Sequence, residues 1–381
     1  MQQRRILLTL YACNLITAVG VWFFIPLLPI FIGRRGGSSA LVGAVFAAGL
    51  LSNAAVRYPA GWLADHFGTR IVMVVAMAGY AALFLAYLLP LPVIALVAVR
   101  FVQGAAAGAY WPAANGLIGD VTSPRDRARA FGWMQSTNMA GALVGPAVGG
   151  FIALFDLDLI MVISAVVCLL AALALASLPG ARAAQVPEPP LPTAQMARAL
   201  VPLLLLGAGV SYMIGTFDTM WPLYVTYRGG TTFAVGLSFT VFAAPAVLFS
   251  ALSTRLSDLF GARRVIVVSL VSTAAFSILY PFVTSVPWLI GLGAVESSLT
   301  MAGFPTLLAE VSRVSPAGQQ GRTQGMYQTV QVAIQIAGAL AGGTLFAISP
   351  SYPFWGISTV CLLGAGSALL PRRAVKAQAF T

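Results

Sequence analysis

The sequence has 381 residues, of which 59% are hydrophobic and 8% are charged. Because about 25% of the residues of a soluble domain are charged, this composition excludes a soluble globular protein. The formal net charge of +11 at pH 7 indicates membrane topology and not nucleic-acid binding, since the arginines flank apolar segments.

Apolar segments long enough to cross a hydrocarbon core of about 30 Å as helices recur along the whole chain. Backbone polar groups in lipid must be satisfied within the segment, which favours helices. The pattern therefore predicts an all-α membrane protein with 12 transmembrane helices. In chain order they are predicted at residues 6–32, 39–63, 71–89, 92–120, 128–154, 158–178, 197–227, 232–254, 264–284, 287–311, 320–348 and 352–371.

Arginine and lysine are distributed unevenly between the two sets of predicted loops. If both termini are cytoplasmic, the inner loops hold sixteen of these residues, and the outer loops hold Arg34, Arg35 and Arg228. This bias follows the positive-inside rule. We therefore predict a multi-pass protein of the cell (inner) membrane with both termini in the cytoplasm.

A charged loop motif occurs twice. Asp65, Phe67, Gly68 and Arg70 within residues 61–70 recur 193 positions later within residues 254–263. Further pairs keep the same offset from residue 29 to residue 150. Two parallel halves of this kind are the architecture of a rocker-type secondary transporter.

A proline-rich segment separates the two copies. Residues 180–196 contain four prolines and no apolar periodicity, which is typical of a semi-extended linker. It divides the chain into an N-terminal six-helix half at 1–179 and a C-terminal six-helix half at 197–381.

Three motifs carry a resemblance to a known family. Residues 61–70 are similar to the helix 2–3 loop motif of the major facilitator superfamily, and residues 100–104 resemble its helix 4 motif. Six residues have the relative positions of the helix 5 signature of drug/proton antiporters, namely Gly132, Gly141, Gly145, Pro146, Gly149 and Gly150. The sequence is thus identified as a member of this superfamily, resembling its 12-helix drug/proton antiporter group.

The resemblance implies a cytoplasmic gate in each half. In the family, a network at the inner helix ends latches the outward-facing state, and Asp65, Arg70 and Asp120 match its positions. The second half offers Asp258 and Arg263 with a displaced Glu310. The alternative is that these are interfacial charges that fix topology.

The helix 5 motif has two interpretations that share one geometry. Small residues let helix backbones approach closely, and Pro146 permits a kink. The run from Gly141 to Gly150 is consistent with simple tight packing or with a seal between helices that blocks leak.

Two acidic residues fall deep within predicted spans, namely Asp218 and Glu296. Asp218 lies about 15 Å from the outer end of its helix at 1.5 Å per residue, the depth at which coupling sites are found. Burial disfavours the charged carboxyl, so an acid exposed alternately to the two sides can load a proton outside and release it inside. We predict that both carry the coupling proton. The alternative is a neutral, structurally hydrogen-bonded acid.

The first half offers a different set of groups. Glu296 aligns with Gln103 of the helix 4 motif, and helix 1 contains Asn14 but no acid. This places coupling in the second half or weakens the proton-antiport assignment. The family's arginine that matches Arg100 is linked to proton transfer, although a structural arginine bonded to backbone carbonyls is the alternative.

Helices 1, 4, 7 and 10 usually face the central path in this family's fold. Their aromatic, methionine and amide side chains suit bulky lipophilic or cationic ligands, although aromatic residues in spans also pack against helices or lipid. The predicted substrate-binding residues are Trp22, Phe23, Tyr110, Trp111, Asn115, Met213, Phe217, Trp221, Met301 and Phe304. Amides on helices 5 and 11, such as Gln135 and Gln331, keep a sugar-like substrate open.

These features together predict a proton-coupled exporter of amphiphilic small molecules or drugs that works by alternating access. We expect no enzyme activity, no cofactor and no metal, and we expect a monomer whose partners are the substrate, protons and lipid. The alternatives are an exporter of sugars or polar metabolites, a proton-coupled nutrient importer, and a non-transporting receptor built on the same fold.

Overall fold

The computed structural model describes residues 2–123, 126–178, 194–248, 250–300, 303–315 and 320–369. Within these ranges the chain forms fifteen α-helices and two short 3-10 helices, with no β-strand. The α-helices are α1 (Gln2–Phe24), α2 (Leu28–Arg34), α3 (Ser39–Phe67), α4 (Thr69–Ala86), α5 (Ala95–Val121), α6 (Arg127–Ile152), α7 (Asp158–Ala176), α8 (Ala194–Tyr227), α9 (Thr232–Leu248), α10 (Ser250–Phe260), α11 (Ala262–Leu279), α12 (Val286–Thr300), α13 (Gly303–Arg313), α14 (Gln320–Ile348) and α15 (Tyr352–Ser367).

Seven helical segments of the described chain are long and apolar enough to cross a membrane. They match seven of the twelve predicted spans, and the total of twelve remains a prediction. The segments are Gln3–Arg34, Ser39–Ala64, Thr69–Ala86, Asp158–Ala176, Leu200–Tyr227, Ala262–Phe282 and Thr323–Ile348.

The 3-10 helices occur where proline interrupts the α-helical hydrogen bonding. The first predicted span is divided into α1, a 3-10 turn at Ile25–Leu27 that contains Pro26, and α2. A second turn, Tyr280–Phe282, contains Pro281 and follows α11. Because proline has no N–H to donate, the chain tightens locally at both points.

The chain packs as two compact units. Unit 1 comprises Met1–Val186 and Trp221–Thr240, and unit 2 comprises Pro187–Met220 and Val241–Thr381. These units follow packing, whereas the predicted halves at 1–179 and 197–381 follow chain order. The predicted linker at 180–196 falls largely outside the described residues.

Each unit has its own apolar core. In unit 1, α3 packs on α5, α1 packs on α6 and α7, and α4 packs on α5 and α7. Leu10, Met73 and Leu117 lie in its buried core. In unit 2, α11 packs on α12, α13 and α15, around a core that includes Leu270 and Ile357.

Glycines set the spacing of helices within each unit. In unit 1, a Cβ atom on Gly149 would lie 2.6 Å from Cα of Phe23, so α6 and α1 approach at a distance that suits glycine. In unit 2, a Cβ atom on Gly342 would lie 3.1 Å from Cα of Thr216, on α8. At the offset of 193, Phe23 aligns with Thr216 and Gly149 aligns with Gly342. The same helix contact therefore occurs in both units.

The duplication also extends to the backbone. In the described chain, the residues with positive φ are Gly36 (80°), Gly68 (91°), Gly229 (83°) and Gly261 (84°). They form two pairs at the offset of 193. Glycine is required there because a Cβ atom disfavours this region, and Gly68 and Gly261 are the turns of the repeated charged motif.

Candidate functional site

The site in unit 2 is a buried carboxyl group held by a tyrosine. Glu296 on α12 is 5% exposed, and the Tyr280 hydroxyl donates a hydrogen bond to its Oε2 atom. The other oxygen, Oε1, is buried and has no hydrogen-bond partner in the described part of the chain. A buried acid with one fixed oxygen and one unpaired oxygen can hold a proton on the unpaired atom.

Two aromatic rings hold Tyr280 in place. Its ring stacks on Phe354 of α15, with 5.2 Å between centroids. It also meets Phe217 of α8 edge to face at 6.0 Å. Such pairs add to the stability gained by burial alone. The Tyr280 hydroxyl is thus positioned by α8, α15 and the turn at Pro281.

Unit 1 contains the same arrangement with different chemistry. The Tyr87 hydroxyl donates to Oε1 of Gln103 at 3.3 Å, and Tyr87 and Gln103 align with Tyr280 and Glu296 at the offset of 193. Arg100 Nη1 donates to the same Gln103 oxygen at 2.8 Å. The guanidinium lies 5.8 Å from the ring centroid of Phe46, which favours the cation. Arg100 therefore contacts a side-chain amide and an aromatic ring.

The two units exchange large and small residues beside this site. In unit 1, a Cβ atom on Gly49 would lie 2.8 Å from Nε of Arg100. In unit 2, the matching positions are Phe242 and Gly293, and a Cβ atom on Gly293 would lie 3.1 Å from Cδ1 of Phe242. The space that Arg100 fills in unit 1 is filled by the Phe242 ring from the opposite helix in unit 2.

Asp218, the second predicted coupling acid, lies on α8 and is half-buried. It follows Phe217, which contacts the Tyr280 ring. Asp218 therefore belongs to the same unit as Glu296 and lies on a helix that contributes to the aromatic surroundings of Tyr280.

A cavity of about 220 Å³ in unit 1 brings three predicted substrate-binding residues together. These are Trp22, Tyr110 and Trp111, and Asn14 and Asn138 also line the cavity. Pockets for drug-sized ligands usually have volumes of about 300–1,000 Å³, so this cavity is smaller than such a pocket. Its other lining residues are Thr17, Ala18, Val21, Ile25, Met77, Tyr80, Ala107 and Cys168.

The other predicted lining residues are dispersed. Phe23 is buried where α1 meets α6, and Asn115 is exposed on α5. Met213 is half-buried on α8, Phe304 is exposed on α13, and Met301 lies outside the described residues.

Trp221 is fully buried in unit 1, and its indole Nε1 donates to Ser238 Oγ at 2.8 Å. Phe217 contacts Phe242, Tyr280 and Phe354. Both side chains therefore contribute to packing in the described structure.

The first predicted gate is described in part. Arg70 Nη1 donates to the Leu178 carbonyl at 3.0 Å, which ties the start of α4 to the end of α7. Asp120 is exposed near the end of α5, and the side chain of Asp65 lies outside the part of the chain that the structure describes.

The predicted gate residues of unit 2 lie near the ends of three helices. Glu310 pairs with Arg313 on its own helix, with 2.7 Å between Oε1 and Nη1. Such pairs between partly exposed groups three residues apart are weak. Asp258 and Arg263 are exposed on either side of Gly261.

The glycine run of α6 contacts two helices. Cβ atoms on Gly141 and Gly145 would meet α1, as for Gly149, whereas one on Gly150 would lie 2.6 Å from the Thr232 carbonyl oxygen of α9. Beside Pro146, the Ala147 N–H donates to Thr240 Oγ1 at 3.2 Å. Within unit 1, α6 therefore packs closely on α1 and α9.

Tyr87 and Tyr280 are site residues that apolar periodicity and charge do not indicate. The offset of 193 aligns them directly. The sequence signal that indicates them is a tyrosine sixteen residues before Gln103 and another sixteen residues before Glu296.

Comparison with known proteins identifies the family. The sequence model of the Major Facilitator Superfamily matches residues 10–233 and 203–381. Multidrug resistance protein 1 of Bacillus subtilis (strain 168) is 25% identical over 96% of both chains. Quinolone resistance protein NorA of Staphylococcus aureus (strain MRSA252) is 22% identical over 93% of both.

Solved structures show the same fold. The crystal structure of the nucleoside transporter NupG superimposes with a TM-score of 0.76. The alignment covers 95% of this chain and 96% of that chain at 14% sequence identity.

Proposed function

The chain belongs to the Major Facilitator Superfamily, and from that premise we propose that it is a proton-coupled exporter of amphiphilic small molecules. In this proposal, protons move inward as substrate moves outward, and the two six-helix halves alternate access by a rocker-switch motion. The chain is a membrane transporter and not an enzyme. Coupling and substrate are the proposed parts.

The single observation that carries the coupling proposal is the buried Glu296 carboxyl. It has a tyrosine donor on one oxygen and no cation among its hydrogen-bonding partners in the described chain. A charged acid in such surroundings is unfavourable, so uptake of a proton stabilises the site. Asp218 is proposed as the second proton-carrying acid, and Arg100 as the cation of unit 1 that assists proton transfer.

The substrate proposal is supported by the relatives and by the cavity. Two aligned relatives are called multidrug and quinolone resistance proteins. The cavity of unit 1 combines tryptophan and tyrosine rings with asparagine amides, which suits ligands with apolar rings and some polar groups. We retain all ten predicted residues, from Trp22 to Phe304, as candidates for substrate contact.

The finer architecture is also proposed. In this proposal the chain is a monomer in the cell (inner) membrane, with twelve spans, a linker at 180–196 and both termini in the cytoplasm. Asp65, Arg70 and Asp120 form one cytoplasmic gate, and Asp258, Arg263 and Glu310 form the other. The α6 glycine run seals the contact with α1.

The proposal is tested with purified protein in liposomes, using ethidium as the transported probe. With an imposed gradient of about one pH unit, exchange of one proton per substrate supports about ten-fold accumulation. We expect the wild type to accumulate ethidium and Glu296→Gln and Asp218→Asn to reach the level measured without a gradient. Asp156→Asn, which alters an exposed acid, is the matched control and should accumulate ethidium normally.

Three results would overturn the proposal in whole or in part. Gradient-driven accumulation by Glu296→Gln and Asp218→Asn would remove the coupling assignment. Transport of sucrose in place of ethidium would favour the polar-metabolite exporter. Substrate-driven proton movement in the same direction as the substrate would instead indicate an importer that works by symport.

A further inference from the structure

The internal duplication provides a copy of the Glu296 site in which a neutral amide takes the place of the carboxyl group. In both units a tyrosine hydroxyl donates to one oxygen of the side chain on the facing helix. In both, the second terminal atom of that side chain is buried without a hydrogen-bond partner in the described structure, Nε2 in Gln103 and Oε1 in Glu296. An amide has nearly the shape of a protonated carboxyl group, so Gln103 resembles a glutamate that holds a proton on its unpaired oxygen, with Arg100 as an additional donor to the other oxygen.

We propose that Tyr280 is a positioning residue for the coupling proton, because it occupies Oε2 of Glu296 and thereby leaves Oε1 as the atom that binds and releases the proton. The inference rests on the proposed function. No other covalent bond changes: an O–H bond forms at Oε1 with a proton from water on one side, and the same bond breaks to water on the other side.

The hydrogen bond has a direction with a functional consequence. A donor to a carboxyl oxygen favours the ionised form, so Tyr280 facilitates release of the proton from a site where burial opposes charge. In unit 1 the Tyr87 bond goes to an amide that cannot ionise in this range, so it has no such effect.

Within the ranges that the structure describes, the ionisable groups near Glu296 come from three elements. Tyr280 faces it from the turn after α11, and the Cys361 thiol of α15 is close enough to interact with its charge. Asp218 lies on α8 beside Phe217, which touches the Tyr280 ring. Arg100 has its counterpart at Gly293, so α12 provides no guanidinium at that position.

The test compares Tyr280→Phe with Tyr87→Phe, which removes the equivalent hydroxyl from unit 1. Ethidium accumulation in liposomes is measured across a series of pH values at a constant pH difference. Without its donor, Glu296 releases its proton less readily. We expect the pH of half-maximal accumulation to rise in Tyr280→Phe by about one unit, a ten-fold change in proton concentration. Tyr87→Phe should leave this midpoint unchanged.

Each outcome separates the inference from the proposed function. If Glu296→Gln abolishes the pH-gradient dependence while Tyr280→Phe keeps the wild-type midpoint, the inference is wrong and the proposed function stands. Equal shifts in both tyrosine variants would also overturn it, since they would indicate a general packing effect. Gradient-driven transport by Glu296→Gln would overturn the proposed function itself.

A second variant applies if Tyr280→Phe folds poorly, as judged by thermal unfolding in detergent. Phe354→Leu removes the ring that stacks on Tyr280 and keeps the hydroxyl. We expect a smaller midpoint shift in the same direction, because the donor is less firmly held. An unchanged midpoint in this variant would count against the positioning role.

Discussion

The two units build one arrangement around a tyrosine from side chains of different charge. Unit 1 surrounds its tyrosine with Gln103 and Arg100, a neutral amide and a fixed cation. Unit 2 surrounds its tyrosine with Glu296, Phe217 and Phe354. The difference shows that one arrangement of helices can hold either a permanently neutral amide or an ionisable carboxyl group.

Packing maintains this difference as much as charge does. Arg100 fits because residue 49 is glycine, and Phe242 fits because residue 293 is glycine. Each unit therefore excludes the other's large side chain. Predictions that transfer residues between the units test this comparison directly.

The largest effect is expected for Gly293→Arg. A side chain at 293 would overlap the Phe242 ring, whose Cδ1 atom lies 3.1 Å from the Cβ position. Overpacking of cores typically costs about 1–3 kcal/mol, and an arginine against this ring belongs at the upper end or beyond. We expect a clear loss of folded protein, measured by the monodisperse fraction and the unfolding temperature in detergent.

The double variant Phe242→Gly/Gly293→Arg reproduces the unit 1 arrangement in unit 2. It should recover part of the stability that Gly293→Arg loses. It places a guanidinium three residues before Glu296, as Arg100 precedes Gln103. An ion pair would keep the carboxyl ionised, so gradient-driven ethidium accumulation should be lost. A double variant that is no more stable than Gly293→Arg would contradict the proposed exchange of volumes.

A smaller loss of stability is expected at the helix contact that occurs in both units. In Gly149→Ala, the new methyl group would lie 2.6 Å from Cα of Phe23, and backbone atoms cannot move aside cheaply. We expect a destabilisation of about 1–3 kcal/mol, seen as a lower unfolding temperature. Gly132→Ala on the same helix is the control, since nothing lies within 4 Å of that Cβ position. Equal unfolding temperatures for the two variants would show that the α1–α6 contact is not tight.

The smallest loss of stability is expected at the two glycine turns of the repeated charged motif, and it should be the same in both units. Gly68→Ala and Gly261→Ala place a Cβ atom on residues with φ of 91° and 84°, a region that costs about 1–3 kcal/mol for other residues. We expect a loss of folding free energy near the lower end of this range because the Cβ position of Gly261 is in open space. The unfolding temperatures of the two variants should fall equally. Gly61→Ala is the control, since the Cβ position of Gly61 is in open space, and it should leave the unfolding temperature unchanged. A marked inequality would mean that the turns are not equivalent.

Much of this structure could be predicted from the sequence because it depends on long patterns. Apolar length predicted helices, and the offset of 193 predicted the duplication and paired Gln103 with Glu296. The family match confirms the superfamily, and seven helical segments of the described chain confirm seven of the predicted spans.

The local site was harder to predict because it depends on side-chain direction. Tyr280 reaches Glu296 from a turn set by Pro281, which apolar periodicity does not reveal. Trp22, Tyr110 and Trp111 share a cavity, whereas Trp221 is bound to Ser238. All four are aromatic residues on helices that were predicted to face the central path. The face of the helix on which each side chain lies therefore determines whether it lines the cavity or packs against another helix.

The reciprocal placement of Arg100 with Gly49 and of Phe242 with Gly293 constrains how the duplicated halves diverged. From a common ancestor, a change at one member of the pair alone would have produced either a clash or an empty space. Because a Cβ atom at residue 293 would meet the Phe242 ring, conversion of one unit toward the other's chemistry is expected to need a paired substitution, in which one large side chain is removed as the other is introduced from the opposite helix.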